Sequence, residues 1–171
     1  MNISIEPLQA SHAEDLLQFE TENRTYFSSM VPDRGDDYYV PVIFEQKHQA
    51  LLNEQVQGDA CFYLIKDEQN RIIGRMNVTG IDPREQSGSI GYRIGEVYAG
   101  KGAASQALQL LINDMQKKGI KKLSAMTTEN HLASQKILLK NEFREVVGAG
   151  EIVDLNGQKL KMIHFVYLRP K

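Results

Sequence analysis

The sequence predicts a mixed α/β, or α+β, fold in which helices flank a mostly antiparallel central sheet of about six or seven strands. The first observation is a set of three consecutive strand-like runs in the middle of the chain, joined by short polar turns. The second is a strand, a glycine turn, a helix and a strand in succession, which predicts one parallel strand pair with a right-handed crossover. The third is the length of 171 residues. This length fits one domain, residues 1–171, whose folding buries roughly 70% of the surface of the unfolded chain.

The N-terminal residues predict a strand followed by a helix. Ile3 and Ile5 alternate with polar neighbours, which is typical of a short strand. Ser11 and Glu14 have the spacing of a capping box. We therefore expect a helix that begins after Ser11 and continues through Phe19.

An irregular segment separates this helix from the next one. Residues 22–39 contain an aromatic pair and a Pro-Asp-Arg-Gly turn, so they form either a substrate-facing loop or a turn packed by its aromatic side chains. Residues 41–57 carry apolar side chains between polar ones and predict a helix that ends at Gly58.

The middle of the chain changes to a strand pattern. Residues 60–65 and 72–78 are rich in branched and aromatic side chains, and the polar run 66–70 joins them as a hairpin connection. An Asp-Pro turn at 82–83 leads to a third strand over 89–94. These three strands predict an antiparallel meander.

A glycine turn with Gly100 and Gly102 follows the meander. Apolar residues at helical spacing over 104–115 predict a helix directly after the turn, and the alternation over 122–127 predicts a strand. The first amides of such a helix have no partner within it, so they and the helix dipole favour an anion such as a pyrophosphate.

The C-terminal part predicts one more helix and two strands. The helix covers about 132–140, and the strands lie near 143–147 and 162–168. The run Asp-Leu-Asn-Gly at 154–157 predicts a turn between the strands.

Composition excludes several classes of protein. The chain has 20 Lys and Arg against 22 Asp and Glu, a net charge of -2, which gives no broad electrostatic attraction to nucleic acid or an anionic membrane. We see no basic and apolar leader and no membrane-length apolar run. Cys61 is the single cysteine, so no internal disulfide or cysteine-cluster metal site forms, and its apolar neighbours favour a core position. We expect a cytoplasmic, unprocessed protein without a metal.

Two familiar phosphate motifs do not fit the glycine turn. A nucleotide P-loop needs Ser or Thr after its Gly-Lys, but Lys101 is followed by Gly102 and alanines. A dinucleotide fingerprint needs a third glycine and a position after the first strand, whereas Ser105 stands near the expected glycine and several strands precede it.

A third pattern fits. Residues 89–94 (Ser-Ile-Gly-Tyr-Arg-Ile), 99–108 (Ala-Gly-Lys-Gly-Ala-Ala-Ser-Gln-Ala-Leu) and 133–143 (Ala-Ser-Gln-Lys-Ile-Leu-Leu-Lys-Asn-Glu-Phe) follow one another in the order and spacing of a known family. Residues 22–27 agree more weakly. The sequence resembles the GCN5-related N-acetyltransferase (GNAT) superfamily, and most closely its RimJ/RimL-like branch of ribosomal-protein N-terminal acetyltransferases.

This resemblance implies acetyl-CoA as cosubstrate and a set of residues that bind it. The backbone of Tyr92, Arg93 and Ile94 would pair with the pantetheine arm as an added strand. The backbone amides that would hold the pyrophosphate belong to Ala99, Gly100, Lys101, Gly102, Ala103 and Ala104. Ala99 replaces the usual Gln or Arg, which implies less side-chain support for the cofactor. The Lys101 side chain either contacts a CoA phosphate or is solvated.

The resemblance also points to the helix over 132–140. Ser134 matches a serine of the family, and either Asn130 or His131 takes the place of the usual asparagine that hydrogen-bonds the cofactor, with helix N-capping as the alternative role of Asn130. Leu138 stands where many relatives have the tyrosine that protonates the departing thiolate, so Ser134 is the remaining candidate for the general acid. Glu142 replaces a glycine, which affects the turn.

The general base is less defined by the sequence. The side chains expected near the cleft are Asp82, Glu85, Glu96 and His131, with His164 and Tyr98 as further possibilities. Each also has an ordinary structural explanation. A terminal amine, with an unperturbed pKa of about 8, also reacts without a dedicated base.

These features predict an acetyl-CoA-dependent N-acetyltransferase that is a monomer or a homodimer. The expected acceptor is a protein N-terminal amine. Alternatives are a small amine such as a polyamine, an amino acid or an antibiotic, and a non-catalytic acyl-CoA sensor, which the missing tyrosine favours.

Overall fold

A computed structural model describes residues 1–148 and 150–170. Its strands are β1 (Ser4–Pro7), β2 (Cys61–Lys66), β3 (Ile72–Asp82), β4 (Ser87–Ile94), β5 (Lys122–Thr128), β6 (Arg144–Glu145), β7 (Ile152–Leu155) and β8 (Gln158–Leu168). Its α-helices are α1 (Ala13–Glu22), α2 (Arg24–Ser28), α3 (Pro41–Gln57), α4 (Ala103–Lys117) and α5 (Leu132–Lys140). Along the described residues, no helix combines the length and the apolar character needed to cross a membrane.

The strands form one open, mostly antiparallel sheet. Its order is β1-β2-β3-β4-β5-β8-β6, and β7 pairs with β8 away from this path. The meander β2-β3-β4 is antiparallel, whereas β4 and β5 are parallel. The predicted mixed α/β fold is confirmed, with eight strands among the described residues in place of about six or seven.

The parallel pair separates along its length. Its register joins Ser87 to Lys122, Gly88 to Leu123 and Ser89 to Ser124, and the described register contains no β5 partner for Ile90–Ile94. The C-terminal part of β4, Ile90–Ile94, therefore has one edge without a β5 neighbour. β5 instead pairs along its whole length with β8.

Two buried clusters fix the helices on the two faces of the sheet. Leu108, Leu111 and Met115 on one stripe of α4 pack with Met76 and other apolar side chains of the meander. The other cluster joins α1, α2 and α3 to β2 through apolar side chains, namely Leu16, Phe19, Phe27, Phe44, Phe62 and Leu64. Burying each such side chain contributes about 1.5–3 kcal/mol, so both faces hold their helices firmly.

The structure corrects three local predictions. Ser11 is not the cap of α1, because a short 3-10 helix over Ala10–His12 precedes α1 and His12 occupies the N-cap position. The strand expected at 143–147 is only Arg144–Glu145, and β7, which was not predicted, forms the hairpin with β8 around the predicted Asn-Gly turn. The alternative role of Asn130 as the helix N-cap is wrong, because α5 begins at Leu132 and its N-cap is therefore His131.

Candidate active site

A cleft of about 390 Å³ lies where β4, the start of α4 and α5 meet. We call it the glycine-turn cleft. Among the predicted cofactor residues, those that line it are Tyr92, Arg93, Ile94, Ala99, Gly100, Gly102, Ala103, Ala104, His131 and Ser134. Lys101 and Asn130 are not among the lining residues. The fold thus gathers residues from three separate segments around one opening.

The glycine turn forms the floor of this cleft. Gly100 and Gly102 have φ angles of 75° and 81°, which side chains other than glycine rarely adopt. Gly102 is the N-cap of α4, has no side-chain cap, and is followed by a first turn without an acidic residue. The first amides of α4 and the positive end of its dipole are therefore available to an anion.

The glycine turn has three basic side chains near it, of which Lys101 is exposed, as in one of the two roles left open by the sequence. Lys101 turns toward Tyr98, with its Nζ atom 5.9 Å from the centre of that ring. Lys136 and Lys140, one turn apart on α5, line the glycine-turn cleft instead. Their spacing on a helix after Ser134 is visible in the sequence and was the available signal for them.

Ser134 is buried and its hydroxyl meets that of Tyr92. The Ser134 Oγ and the Tyr92 phenolic oxygen are 3.2 Å apart. Burial raises the pKa of Tyr92, and the hydrogen bond to Ser134 acts in the opposite direction. Tyr92 is therefore protonated at neutral pH and can share its proton with Ser134. The sequence assigned only the backbone of Tyr92, so this hydroxyl was missed.

The neighbouring positions of α5 have distinct environments. Leu138, which stands where many relatives have a tyrosine, is buried in the core. Asn130 accepts a hydrogen bond from Thr128 Oγ1 at 2.8 Å, whereas His131 lines the cleft. Burial lowers the pKa of His131, so its imidazole is neutral at neutral pH.

The structure does not bring Asp82 and Glu85 to the glycine-turn cleft. Asp82 pairs with Ser87 at the far end of β4, and its Oδ1 accepts the amide hydrogens of Arg84 and Glu85 within the hairpin turn. The strand from Ser87 to Ile94 is about 23 Å long at its ordinary rise per residue. This carboxylate stabilises a turn, and its predicted role as a base does not fit its position.

The other candidates for the general base lie in different parts of the structure. Glu96 lines a different groove, with Asn23 accepting its backbone amide at 2.9 Å. His164 on β8 places its Nε2 atom 3.0 Å from a Glu151 carboxylate oxygen. Of the predicted base candidates, only His131 and Tyr98 line the glycine-turn cleft.

The irregular segment 22–39 is both packed and near the cleft. Phe27 is buried in the core, whereas Tyr26 and Met30 line the glycine-turn cleft. Arg24 secures the segment by donating to Asp33 and Asp36 at 2.8–3.1 Å. Both interpretations left open by the sequence therefore apply to different residues of this segment.

A second cavity of about 680 Å³ adjoins the first. We call it the basic cavity because its lining includes Arg34, Lys47, Arg75 and Arg93. Tyr92 and Arg93 line both cavities. Neighbouring side chains on a strand point to opposite faces, so β4 presents the Tyr92 hydroxyl to α5 and the Arg93 guanidinium to α1.

A fully buried carboxylate stands behind the basic cavity. Glu20 on α1 accepts from Arg75 Nη1 at 3.0 Å and from Arg93 Nη1 at 3.2 Å. This cluster was not predicted from the sequence. The available signal was Glu20 itself, which stands four residues after Leu16, on the apolar face of α1, where a carboxylate needs a cationic partner.

The geometry defines a class of protein. A splayed parallel strand pair, a glycine turn that opens a helix without a side-chain cap, and a half-buried hydroxyl pair fit an enzyme that binds an extended, phosphate-bearing cosubstrate and transfers a proton beside it. The chain belongs to the acetyltransferase (GNAT) domain family, whose family model matches residues 2–144. The predicted family is confirmed, and with it the assignment as an N-acetyltransferase.

Known proteins of similar sequence and structure agree with this family. A Bacillus subtilis (strain 168) protein named probable N-acetyltransferase YjcK is 26% identical over 159 residues, which are 91% of this chain and 87% of that protein. The ribosomal-protein-S5-alanine acetyltransferase of Vibrio fischeri has a TM-score of 0.91 at 20% identity, over 100% of this chain and 95% of its own. RimL, a ribosomal L7/L12 α-N-protein acetyltransferase solved with coenzyme A, has a TM-score of 0.86 at 20% identity, over 99% and 95%. At these identities the solved structures establish the shared fold.

Proposed function

We propose that this chain transfers the acetyl group of acetyl-CoA to the N-terminal amine of a protein. The observation that carries the proposal is the juxtaposition of the glycine turn, the unpaired edge of β4 and the Ser134–Tyr92 hydroxyl pair in one cleft. The similarity in fold to enzymes named for ribosomal-protein acceptors supports the choice of acceptor.

The residues present fit acetyl-CoA. A Cβ atom added at Gly100 or Gly102 would meet no heavy atom within 4 Å, so the backbone there faces open space that a pyrophosphate can enter. The amides of residues 99–104 and the start of α4 supply the hydrogen-bond donors. The free edge of β4 at Tyr92–Ile94 suits an extended pantetheine arm, which would add to the sheet as a strand does. Lys136 and Lys140 supply positive charge on the opposite wall.

The catalytic roles follow from the hydroxyl pair and His131. Bound acetyl-CoA supplies a thioester whose C–S bond breaks as the amine forms the new C–N bond. Ser134 Oγ gives its proton to the departing thiolate sulfur and takes one from the Tyr92 hydroxyl, and Tyr92, whose pKa is raised by burial, regains its proton from solvent before the next turnover. His131, held neutral by burial, takes the proton that the attacking amine releases, directly or through water.

The test combines acetyl-CoA binding with turnover. Binding is measured by calorimetry, and CoA release is followed with N-terminal peptides, the same peptides blocked by N-acetylation, and a panel of polyamines, amino acids and aminoglycosides. We expect micromolar-range binding and CoA release only with free peptide amines. No affinity for acetyl-CoA would refute the proposal. Turnover confined to small amines would move the acceptor class, and binding without any turnover would favour the sensor.

A further inference from the structure

The basic cavity suggests what kind of N-terminus this enzyme accepts. Resting on the proposed function, we infer that the acceptor is a protein N-terminus with an acidic side chain at its second or third residue, and that the basic cavity binds this carboxylate. Three features of the cavity support this inference: its charge, the hydrogen-bonding capacity of its arginines, and its position beside Tyr92.

The charged side chains that line the cavity are all positive. Arg34, Lys47, Arg75 and Arg93 line it, and its described lining contains no Asp or Glu. Glu20 lies behind it and contacts two of the four cations. The cavity therefore keeps a net positive charge, which favours an anionic ligand and repels cationic ones such as polyamines.

The two inner arginines keep donors to spare. Each guanidinium carries five N–H groups in a planar fork, but the recorded bonds use Nη1 of Arg75, toward Glu20 and Tyr38, and Nη1 of Arg93, toward Glu20. The pKa of Arg93 is lowered, mainly by burial, although the nearby Glu20 carboxylate raises it. Glu20 therefore only partly compensates for the burial of this guanidinium. Glu20 thus orients both forks without saturating them, and a carboxylate from the acceptor would complete their bonding.

A buried histidine completes this side of the cavity. His48 is 3% exposed and also lines the basic cavity. Its Nε2 atom donates to the Gln9 carbonyl at 2.8 Å, whereas Nδ1 has no hydrogen-bond partner among the described residues. In the tautomer with the hydrogen on Nε2, Nδ1 is an acceptor, so this buried atom suits a backbone N–H of a bound peptide, whereas the arginines suit its carboxylate.

The position of the cavity sets the spacing in the acceptor. Tyr92 and Arg93 line both cavities, so the cavities meet at this part of β4, and an amine bound at their junction lies next to the basic cavity. An extended peptide advances about 3.3–3.6 Å per residue, so a side chain one or two residues from the amine reaches the arginines. The volume of about 680 Å³ accommodates several residues.

The experiment compares peptides that differ at one position. Three peptides share one sequence and carry Glu, Gln or Lys at the second residue, with a second set varied at the third residue. Rates of CoA release give kcat/KM for each peptide with the wild-type enzyme. We expect the Glu peptide to exceed the Gln peptide by about tenfold in at least one set, with the Lys peptide slowest, because the preferred contact is charge-assisted.

Variants then assign the preference to the cavity. The double variant Arg34→Gln/Lys47→Gln removes two exposed cations of the cavity and leaves Arg75 and Arg93 in place, so the ratio of Glu to Gln rates should fall below the wild-type ratio. The matched control Arg84→Gln/Lys122→Gln removes two exposed cations outside the cavity lining and should keep the wild-type ratio. Circular dichroism confirms that both variants are folded.

The outcomes separate this inference from the proposed function. Turnover of all peptides with equal kcat/KM for Glu and Gln would overturn the inference and leave the proposed function standing. A ratio of Glu to Gln rates that is unchanged in the Arg34→Gln/Lys47→Gln variant would also overturn it. Turnover of free aspartate or glutamate without turnover of any peptide would overturn the inference, because the acceptor would then be a small anionic amine and not a protein N-terminus. Acetyl-CoA binding without turnover of any amine would refute both.

Discussion

The two cavities that share β4 are built in different ways. The part of the glycine-turn cleft proposed to hold the cofactor is mainly a backbone structure, made by two glycines of positive φ, the first amides of α4 and a strand edge from one continuous run of sequence. The basic cavity is a side-chain structure whose cations come from a loop, α3, β3 and β4. The first can tolerate changes of side chain, whereas the second depends on particular charges that meet only in the folded chain.

The largest effect should come from the carboxylate that supports the basic cavity. Glu20→Gln leaves the Arg75 and Arg93 guanidinium groups partly buried without their counter-charge, and we expect the free energy of unfolding to fall by about 3 kcal/mol. Urea unfolding followed by circular dichroism measures this change. The KM for acetyl-CoA of the folded variant should change little, because the backbone of the glycine turn is intact.

Glu22 on the same helix provides the matched control. Glu22 is exposed and accepts a hydrogen bond from Gln18, so Glu22→Gln should change the free energy of unfolding by less than about 0.5 kcal/mol. Equal stability of the two variants would mean that Glu20 does not hold the two arginines. A large rise in the KM for acetyl-CoA on Glu20→Gln would mean that the two cavities are not built independently.

A slightly smaller effect is expected where the two cavities meet. Ser134→Ala removes the proposed proton donor and should lower kcat about 100-fold with little change in the KM for acetyl-CoA. Tyr92→Phe should lower kcat less, because Ser134 keeps its own hydroxyl. The double variant should be no worse than Ser134→Ala, because both hydroxyls serve one proton transfer.

Ser124→Ala is the control for loss of a hydroxyl. Ser124 lies where β4 and β5 still pair, and its Oγ atom is 2.9 Å from that of Ser89, outside the lining of either cavity. Its kcat should match that of the wild type. An unchanged kcat in Ser134→Ala would remove Ser134 as the acid, and additive losses in the double variant would mean that Tyr92 acts separately.

The contrast between the cavities also explains what the sequence could predict. Local patterns predicted the meander, the glycine turn, the amphipathic α4 and the parallel β5, because each depends on periodicity or on turn residues within a few positions. The cap of α1 was wrong because Ser11 lies within a 3-10 helix, and His12, the N-cap residue of α1, accepts the amide hydrogen of Gln9 instead of capping α1 with its side chain. β7 was missed because its four residues, Ile152–Leu155, do not alternate clearly between apolar and polar side chains.

The residues of the site also differ in whether they could be predicted from the sequence. Positions 92–104 could be located from one run of sequence, since their predicted role is a backbone role. Asp82 was expected near the cleft, but the length of β4 separates it from Ile94. The Tyr92 hydroxyl and the Glu20–Arg75–Arg93 cluster could not be derived, because their partners lie 42 to 73 residues away in sequence and meet only through the register of β3 with β4 and the packing of α1 and α5.

The smallest of these effects tests the backbone character of the glycine-turn cleft. Gly102→Val places a side chain at a φ of 81°, which costs about 1–2 kcal/mol, and directs a branched Cβ toward the space that the pyrophosphate would occupy. We expect the KM for acetyl-CoA to rise about tenfold with a modest loss of stability, as measured by steady-state kinetics and thermal unfolding.

Gly119 offers a control with the same backbone strain. Gly119 also has a φ of 81° and open space around its missing Cβ, but it lies beyond the other end of α4, a helix about 22 Å long at the ordinary rise per residue. Gly119→Val should therefore lose similar stability and keep the KM for acetyl-CoA. Equal rises in KM for the two variants would assign the effect to strain in α4 as a whole and would contradict a pyrophosphate at the start of the helix. A rise in Gly102→Val alone would fix the cofactor phosphates at the backbone of this turn.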